Sequence, residues 1–268
     1  MDLRALEQAL ADLPLGPLRY YAQTGSTNAD AALWAEAGAT DLALVVADEQ
    51  TAGRGRRGRR WLTPPGAALA FSLVLRPGAG AFAPAHLTAL GALAVCDALL
   101  EHYHLATQIK WPNDVLLERR KIGGILVEAY WQGESLITAI LGIGVNVTQA
   151  AVPKEADVVF PATCVEACSG RPVDRLDLLH TVLRQLLDWR PRLGSEEFLR
   201  AWEERLAFRN EWVRVLPGSG EVLQPEFQEG QIQCLEADGA LRLRNRAGQA
   251  FTLYAGEVSL RPLNSSSE

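Results

Sequence analysis

Gln50-Thr51-Ala52-Gly53-Arg54-Gly55-Arg56-Arg57-Gly58-Arg59-Arg60-Trp61 lies between two apolar runs, residues 42–47 and 67–75. Both runs have the length and composition of buried strands. The stretch between them therefore reads as a long excursion joining two strands of one sheet, and a sheet becomes the centre of the fold. Five of the seven positions 54–60 are arginine, and the stretch holds no lysine. Guanidinium is always charged, planar and able to grip a carboxylate or phosphate with two bonds. The interspersed glycines let backbone approach a ligand closely. Such a loop is built to close over an anion. Taken alone it fits a solvated face or a nucleic-acid patch equally well.

Composition narrows the choice. The chain has 268 residues, 48% apolar and 22% charged, with a net charge of −6. That length suits one large domain, or one domain with a small second one. The arginine loop is a local positive feature on an acidic protein. No basic N-terminal region leads into an apolar core, and no apolar run reaches 18 residues. A cytoplasmic protein without a membrane span is expected. Cys96, Cys164, Cys168 and Cys234 form no CxxC pair and read as free thiols in a reducing compartment. The four histidines show no metal or catalytic spacing.

Working outward from the loop, residues 3–13 predict a short amphipathic helix, and Tyr20-Tyr21 a strand end. Ser26-Thr27-Asn28 opens an alanine-rich helix reaching about residue 37. All three are good N-cap types, and a helix start also offers N–H groups and hydroxyls to a polar ligand. Residues 84–103 predict a helix, 108–110 lead into a turn at Trp111-Pro112-Asn113-Asp114, and strands follow at 115–117, 121–128 and 136–147. Glu118-Arg119-Arg120 reads as a hairpin turn. The last two strands carry Gly123, Gly124, Gly142 and Gly144. Glycine inside a strand marks close approach, and two such strands side by side predict a flat floor for a bulky ligand. A short helix near 162–169 and packing helices at 174–189 and 196–206 come next. From Glu211, short alternating strands with turns at Pro217-Gly218, Asp238-Gly239 and Ala247-Gly248 predict a small barrel of about five strands. Between residues 210 and 268, five arginines face eight acids, a balance of 5 − 8 = −3. A nucleic-acid-binding barrel would be basic. The expected domains are 1–208 and 209–262, with a disordered tail at 263–268.

Four separated stretches need one explanation: residues 26–28, 50–61, 110–128 and 142–146. They supply hydroxyls and amides, two kinds of cation, a carboxylate–amide turn and a glycine floor. No nucleophile with a base and no GxxxxGK[ST] phosphate loop is present. The implied chemistry is the positioning of anions and the screening of charge as a phosphorus centre is attacked.

With Ser-Thr-Asn at 26–28, Gly-Arg-Gly-Arg-Arg-Gly-Arg-x-Trp at 53–61, Lys-Trp-Pro-Asn-Asp at 110–114, Lys-Ile-Gly-Gly-Ile-Leu-Val-Glu at 121–128 and Gly-Ile-Gly-Val-Asn at 142–146, the chain resembles biotin–protein ligases over roughly residues 20–150. The resemblance implies an α+β fold: a mixed central sheet with packed helices, like the class II aminoacyl-tRNA synthetase catalytic domain, followed by an SH3-like barrel. It implies ATP-dependent formation of biotinyl-5′-AMP with release of pyrophosphate, then transfer to a lysine of a biotin carboxyl carrier protein domain. Carried over by residue, Ser26, Thr27, Asn28 and Gln50 would hold the biotin head or the wall beside it. Gly53, Arg54, Gly55 and Arg56 would close on the carboxylate and phosphate, with Lys121 between the two and Gly124 and Gly142 as floor. Arg54, Arg56 and Lys121 would carry the catalysis; Arg56, Trp61, Lys110, Asn113 and Asn146 would face the nucleotide, Trp61 near the adenine. Asn113 and Asp114 are candidates for Mg²⁺, or else a turn pair in which Asp114 caps backbone N–H groups. Trp111 reads as wall or core, and Glu128 as an ion-pair partner. The loop is expected to be mobile without ligand and to order over the adenylate, excluding water.

About 20 residues precede the first strand, too few for the N-terminal DNA-binding domain of some relatives, so a ligase that does not bind DNA is expected, as monomer or homodimer. A lipoate–protein ligase shares the adenylate logic and is the first rival. A nucleic-acid-binding protein and a biotin sensor without catalysis are the others.

Overall fold

The computed structural model describes residues 1–76, 83–154, 160–217, 229–254 and 258–263. Its centre is a seven-stranded mixed sheet. The strands are β1 (Leu18–Thr24), β2 (Leu44–Gln50), β3 (Ala68–Leu75), β4 (Gln108–Lys110), β5 (Asp114–Leu117), β6 (Arg120–Gln132) and β7 (Ser135–Asn146), in the order β1-β2-β3-β7-β6-β5-β4. The β1–β2 pair is parallel and the others are antiparallel. The arginine stretch does connect two adjacent strands, β2 and β3.

All eight residues of β3 are buried, because both sheet faces are covered there. Alternation assigns the two sides. Leu69, Phe71, Leu73 and Leu75 belong to the main core, with α3 (Pro84–Tyr103) and α5 (Arg175–Trp189). Val74 joins Val45, Ile140 and Ala31 of α2 (Thr27–Glu36) on the opposite side. α3 comes so close to the sheet that a Cβ on Gly91 would sit 3.1 Å from both Ile125 and Leu141 side chains. By length and composition α3 could cross a membrane, but its apolar residues form no unbroken run of 18, and 67% of its most apolar stretch is buried inside the fold.

Element ends differ from expectation where caps decide them. The first helix, α1 (Leu3–Ala9), is shorter than 3–13 and is capped by Asp2 accepting from Ala5 N at 2.8 Å. The short helix α4 (Val165–Ser169) has Cys164 as its N-cap rather than as a helical residue. Asp174 caps α5, and Ser195 caps α6 (Glu196–Glu204), each accepting backbone N–H bonds. β6 begins at Arg120, one residue earlier than expected, because Glu118 and Arg119 both take positive φ (47° and 61°) and complete the hairpin between them.

The C-terminal part is a five-stranded antiparallel sheet, the SH3-like module: β8 (Trp212–Pro217), β9 (Glu229–Leu235), β10 (Leu241–Arg244), β11 (Ala250–Leu253) and β12 (Val258–Pro262), ordered β11-β10-β9-β8-β12. Gly218 of one expected turn and residues 264–268 of the expected tail lie outside the described residues. Val213, Val215, Ile232, Leu241, Leu243 and Leu253 share the main core cluster, so no solvent layer separates the module from the large sheet. Trp111 fixes the contact: it is 1% exposed, and its indole N–H donates to Gly239 O at 3.0 Å.

Candidate functional site

Strand register builds the floor. On the α2 side of the sheet, Ser72 of β3 faces Gly142 of β7, which faces Leu126 of β6. One row further along stand Ala70, Gly144 and Gly124. Helix α2 roofs the first row and the arginine loop roofs the second. The glycines are required by what rests on them. A Cβ on Gly142 would lie 2.0 Å from Asn28 Oδ1, and one on Gly144 would lie 2.5 Å from the Trp61 ring. The expected flat floor is therefore present, and the space above it is a cavity of about 610 Å³.

At one end of the cavity, hydroxyls and amides are cross-linked. Gln50 Oε1 accepts from Thr27 N (2.9 Å) and lies 3.1 Å from Thr27 Oγ1, while Gln50 Nε2 donates to Thr63 Oγ1 (3.0 Å). Ser72 Oγ lies 2.8 Å from Thr27 Oγ1 and 2.6 Å from Asn28 Oδ1. Asn28 Nδ2 donates to Glu128 Oε2 (2.7 Å) and Leu126 O (3.3 Å). Ser26 occupies the N-cap position of α2 but its side chain makes no cap bond, although its residue type predicts one; the residue is buried and lines the cavity.

Cations gather at the other end around one carboxylate. Asp114 Oδ1 is 2.5 Å from Lys121 Nζ, and Oδ2 is 3.3 Å from Lys110 Nζ. Burial alone would raise the Asp114 pKa, but the charges of Lys121 and Lys110 outweigh it and hold the value down at about 2. Burial pushes the Lys110 ammonium below its usual range, with Asp114 opposing the shift. Arg56 Nη1 donates to Asn113 Oδ1 at 3.2 Å, and Asn113 is held in turn by Ile125 O. Burial, then the charge of Arg57, depress the Arg56 pKa. Lys121 Nζ also lies 5.4 Å from the centre of the Trp61 ring.

The Asp114 arrangement predicts an acid-stability signature. A carboxyl depressed from 3.8 to about 2 stabilises the fold above pH 3.8 and loses that contribution as pH falls through 2. Wild-type protein is expected to lose about 2 kcal/mol more than Asp114→Asn across this window. Acid denaturation of the two proteins, followed by circular dichroism, measures the difference.

Of the residues singled out in the sequence, Ser26, Thr27, Asn28, Gln50, Arg54, Gly55, Arg56, Trp61, Lys110, Asn113, Asp114, Lys121, Gly124, Gly142 and Asn146 all line this cavity. Gly53 does not. A Cβ there would lie 2.5 Å from Trp61 O, so this glycine closes the loop's own turn. Asn146 is 3% exposed and donates to Thr163 O at 3.0 Å, which fixes its amide against the connection after β7. Arg57, Arg59 and Arg60 also line the cavity, so the arginine loop is turned on the site. Asp114 caps no backbone N–H group among the described residues, and each of its oxygens faces an ammonium. Among the described residues no group of three His, Cys, Asp or Glu side chains could hold a metal ion. A Mg²⁺ here would have to be held mainly by substrate phosphates, with Asp114 as the carboxylate that lines the cavity.

Ser72, Thr63, Phe160 and Arg261 were not anticipated. Ser72 left a signal, a lone hydroxyl inside an apolar strand. Arg261 comes from β12 and left none, since nothing in the sequence brings that strand to the large sheet.

The chain has counterparts among known proteins. Residues 20–146 match the model of the "Biotin/lipoate A/B protein ligase family". The biotin--[acetyl-CoA-carboxylase] ligase of Paracoccus denitrificans is 38% identical over 245 residues, covering 88% of this chain and 98% of that protein. The ligase of the same name from Mycobacterium tuberculosis is 34% identical over 273 residues, covering 96% and 95%. A structure of the Aquifex aeolicus biotin protein ligase in complex with biotin and ATP superposes with a TM-score of 0.77 at 30% identity, over 92% of this chain and 99% of that one. With the glycine floor, the polar end and the cationic end in one cavity, these likenesses place the chain in the biotin/lipoate A/B protein ligase family, among its biotin protein ligases.

Proposed function

We propose that this protein joins biotin to ATP, forming biotinyl-5′-AMP and pyrophosphate, and then passes the biotinyl group to a lysine of a biotin carboxyl carrier protein domain. The observation that carries the reading is a single cavity with a polar, neutral end and a cationic end. A bicyclic urea needs fixed donors and acceptors, and Ser26, Thr27, Asn28 and Gln50 supply them over Gly142. The valerate chain would run across the floor and present its carboxylate to Arg54, Arg56 and Lys121.

In the first step a carboxylate oxygen attacks the α-phosphorus, and the bond to the bridging oxygen of the β-phosphate breaks. Two like charges about 4 Å apart repel by about 4 kcal/mol at an effective dielectric near 20. Lys121 and Arg56 offset that repulsion and hold the oxygens in line. Asp114 orients Lys121 without quenching the site, because Lys110 balances its charge. Trp61 and Asn146 would border the nucleotide. In the second step the amine of the acceptor lysine attacks the acyl carbon, AMP leaves, and the ammonium proton departs to solvent or phosphate. The residues present hold no Mg²⁺ on their own, so no step is assigned to one.

The test is biotin-dependent exchange of labelled pyrophosphate into ATP, with lipoate in a parallel reaction. Exchange with biotin and not lipoate is the expected result. A dithiolane ring cannot answer the polar groups at the neutral end, and leaving them unpaired strongly disfavours such a ligand. Exchange with lipoate alone would move the protein to the sister activity. Biotin binding without exchange would leave a sensor.

A further inference from the structure

Glu128 is absent from the chemistry above, yet it is the junction of two networks. Its Oε2 accepts from Asn28 Nδ2 at 2.7 Å and from Arg54 Nη2 at 3.0 Å. The first partner belongs to the polar end of the cavity and the second to the arginine loop. From Asn28 the contacts run through Ser72 and Thr27 to Gln50 and Thr63. Gln50 and Thr63 themselves form the bridge at the stem of the loop. The polar chain thus begins at Arg54 near the loop tip, passes the groups beneath the ligand's head, and returns to the loop's base.

We propose that Glu128 is a positioning residue, a latch that holds the arginine loop closed through Arg54 and ties closure to the head-binding groups through Asn28. The identity of the head it senses rests on the ligase reading; the latch itself does not. Glu128 sits on β6, which belongs to the rigid sheet, and it faces Ile140 across the ladder. Arg54 is the partner on the loop, with a side chain 46% exposed. A half-exposed ion pair is a suitable latch because it is weak enough to open each cycle. A ligand that bonds to Asn28 or Thr27 stiffens the same chain and so favours the closed loop.

Glu128→Gln separates the two roles. Glutamine can keep an oxygen at the Oε2 position, so the neutral contact with Asn28 survives, but it removes the negative charge that holds the Arg54 guanidinium. The arginines of the loop are themselves trypsin sites, and cleavage of a loop that opens rapidly tracks its open population. Ligand-free protein is treated briefly with trypsin, and cuts after Arg54 to Arg60 are quantified by mass spectrometry. A peptide spanning residues 50–61 calibrates the protease at each salt concentration. Glu128→Gln is expected to be cut about three- to fivefold faster than wild type at low salt. Wild type is expected to approach the variant's rate near 1 M salt, where the screening length falls to about 3 Å, while the variant's rate stays flat. Equal cutting of the two proteins at low salt, or no salt response in wild type, overturns the latch. In protein loaded with adenylate, the variant should also release the intermediate faster by a similar factor. Absence of pyrophosphate exchange in wild type would instead refute the ligase reading, and the trypsin result would stand apart from it.

Discussion

Lys121→Met is expected to slow biotin-dependent pyrophosphate exchange by about 10²- to 10³-fold, the loss typical when one preorganised charge partner of a transition state is removed. Methionine has nearly the same length, so it can keep contact with the Trp61 face and the fold should stay intact. What changes is charge. Lys121 Nζ is 2.5 Å from Asp114 Oδ1, and its removal leaves that carboxylate balanced only by Lys110. The cavity would then present a carboxylate with one fewer cation to two incoming anions. Both ground-state binding and the crowded transition state lose, with the transition state losing more because its charge is concentrated there. The effect should therefore appear mainly in the maximal exchange rate, with a smaller rise in the biotin concentration for half-saturation. Exchange within about tenfold of wild type would mean that Arg56 and its neighbouring arginines suffice, and Lys121 would lose its assigned place.

The parts of this site that could be read in the sequence are those that leave a local mark. Glycines two apart in a predicted strand, at 142 and 144, betray a close approach, and register turns them into a floor. Arginines interleaved with glycine betray an anion-closing loop. What remained hidden depends on pairing between distant segments. That both oxygens of Asp114 are occupied follows from a four-residue turn and the β5–β6 hairpin together, which bring Lys110 and Lys121 to one carboxylate. A sequence shows an acid near a Pro-Asn turn, and a metal is as reasonable there as an ion pair. Gly53 looked like its neighbours in composition, and only the backbone path, with Trp61 N donating to Gly53 O at 2.9 Å, distinguishes it. The contribution of Arg261 needs the packing of the C-terminal sheet against Trp111 and Trp202, a contact that no local pattern encodes. The division expected at residue 208 rests on a shift in composition there, and the apolar core cluster includes residues on both sides of it.

Gly142→Ala is expected to weaken biotin binding by about 100-fold while costing about 1–3 kcal/mol of stability. A methyl group at this position would lie 2.0 Å from Asn28 Oδ1, 2.8 Å from its Cγ and 3.1 Å from its Nδ2. β7 is held between β3 and β6 and cannot move away, so the asparagine must. Asn28 is 4% exposed and sits in the first turn of α2, which leaves its side chain few other places to go. Swinging it out breaks the contacts to Ser72 Oγ (2.6 Å) and Glu128 Oε2 (2.7 Å) and strips the ligand's head of a partner. The broken internal contacts account for the lost stability, and the loss of about two ligand hydrogen bonds, at about 1–1.5 kcal/mol each, from Asn28 and the Ser72–Thr27 groups it no longer holds in place gives the predicted factor. Calorimetric titration with biotin, beside a thermal melt of the same sample, separates loss of the pocket from loss of the fold. Gly144→Ala makes the informative contrast. Its methyl would collide with the Trp61 ring at 2.5 Å and leave Asn28 untouched. That variant should bind biotin nearly as wild type does and lose affinity for the nucleotide instead. Equal loss of biotin affinity in both variants would show that the two glycine rows do not divide the ligand between head and nucleotide.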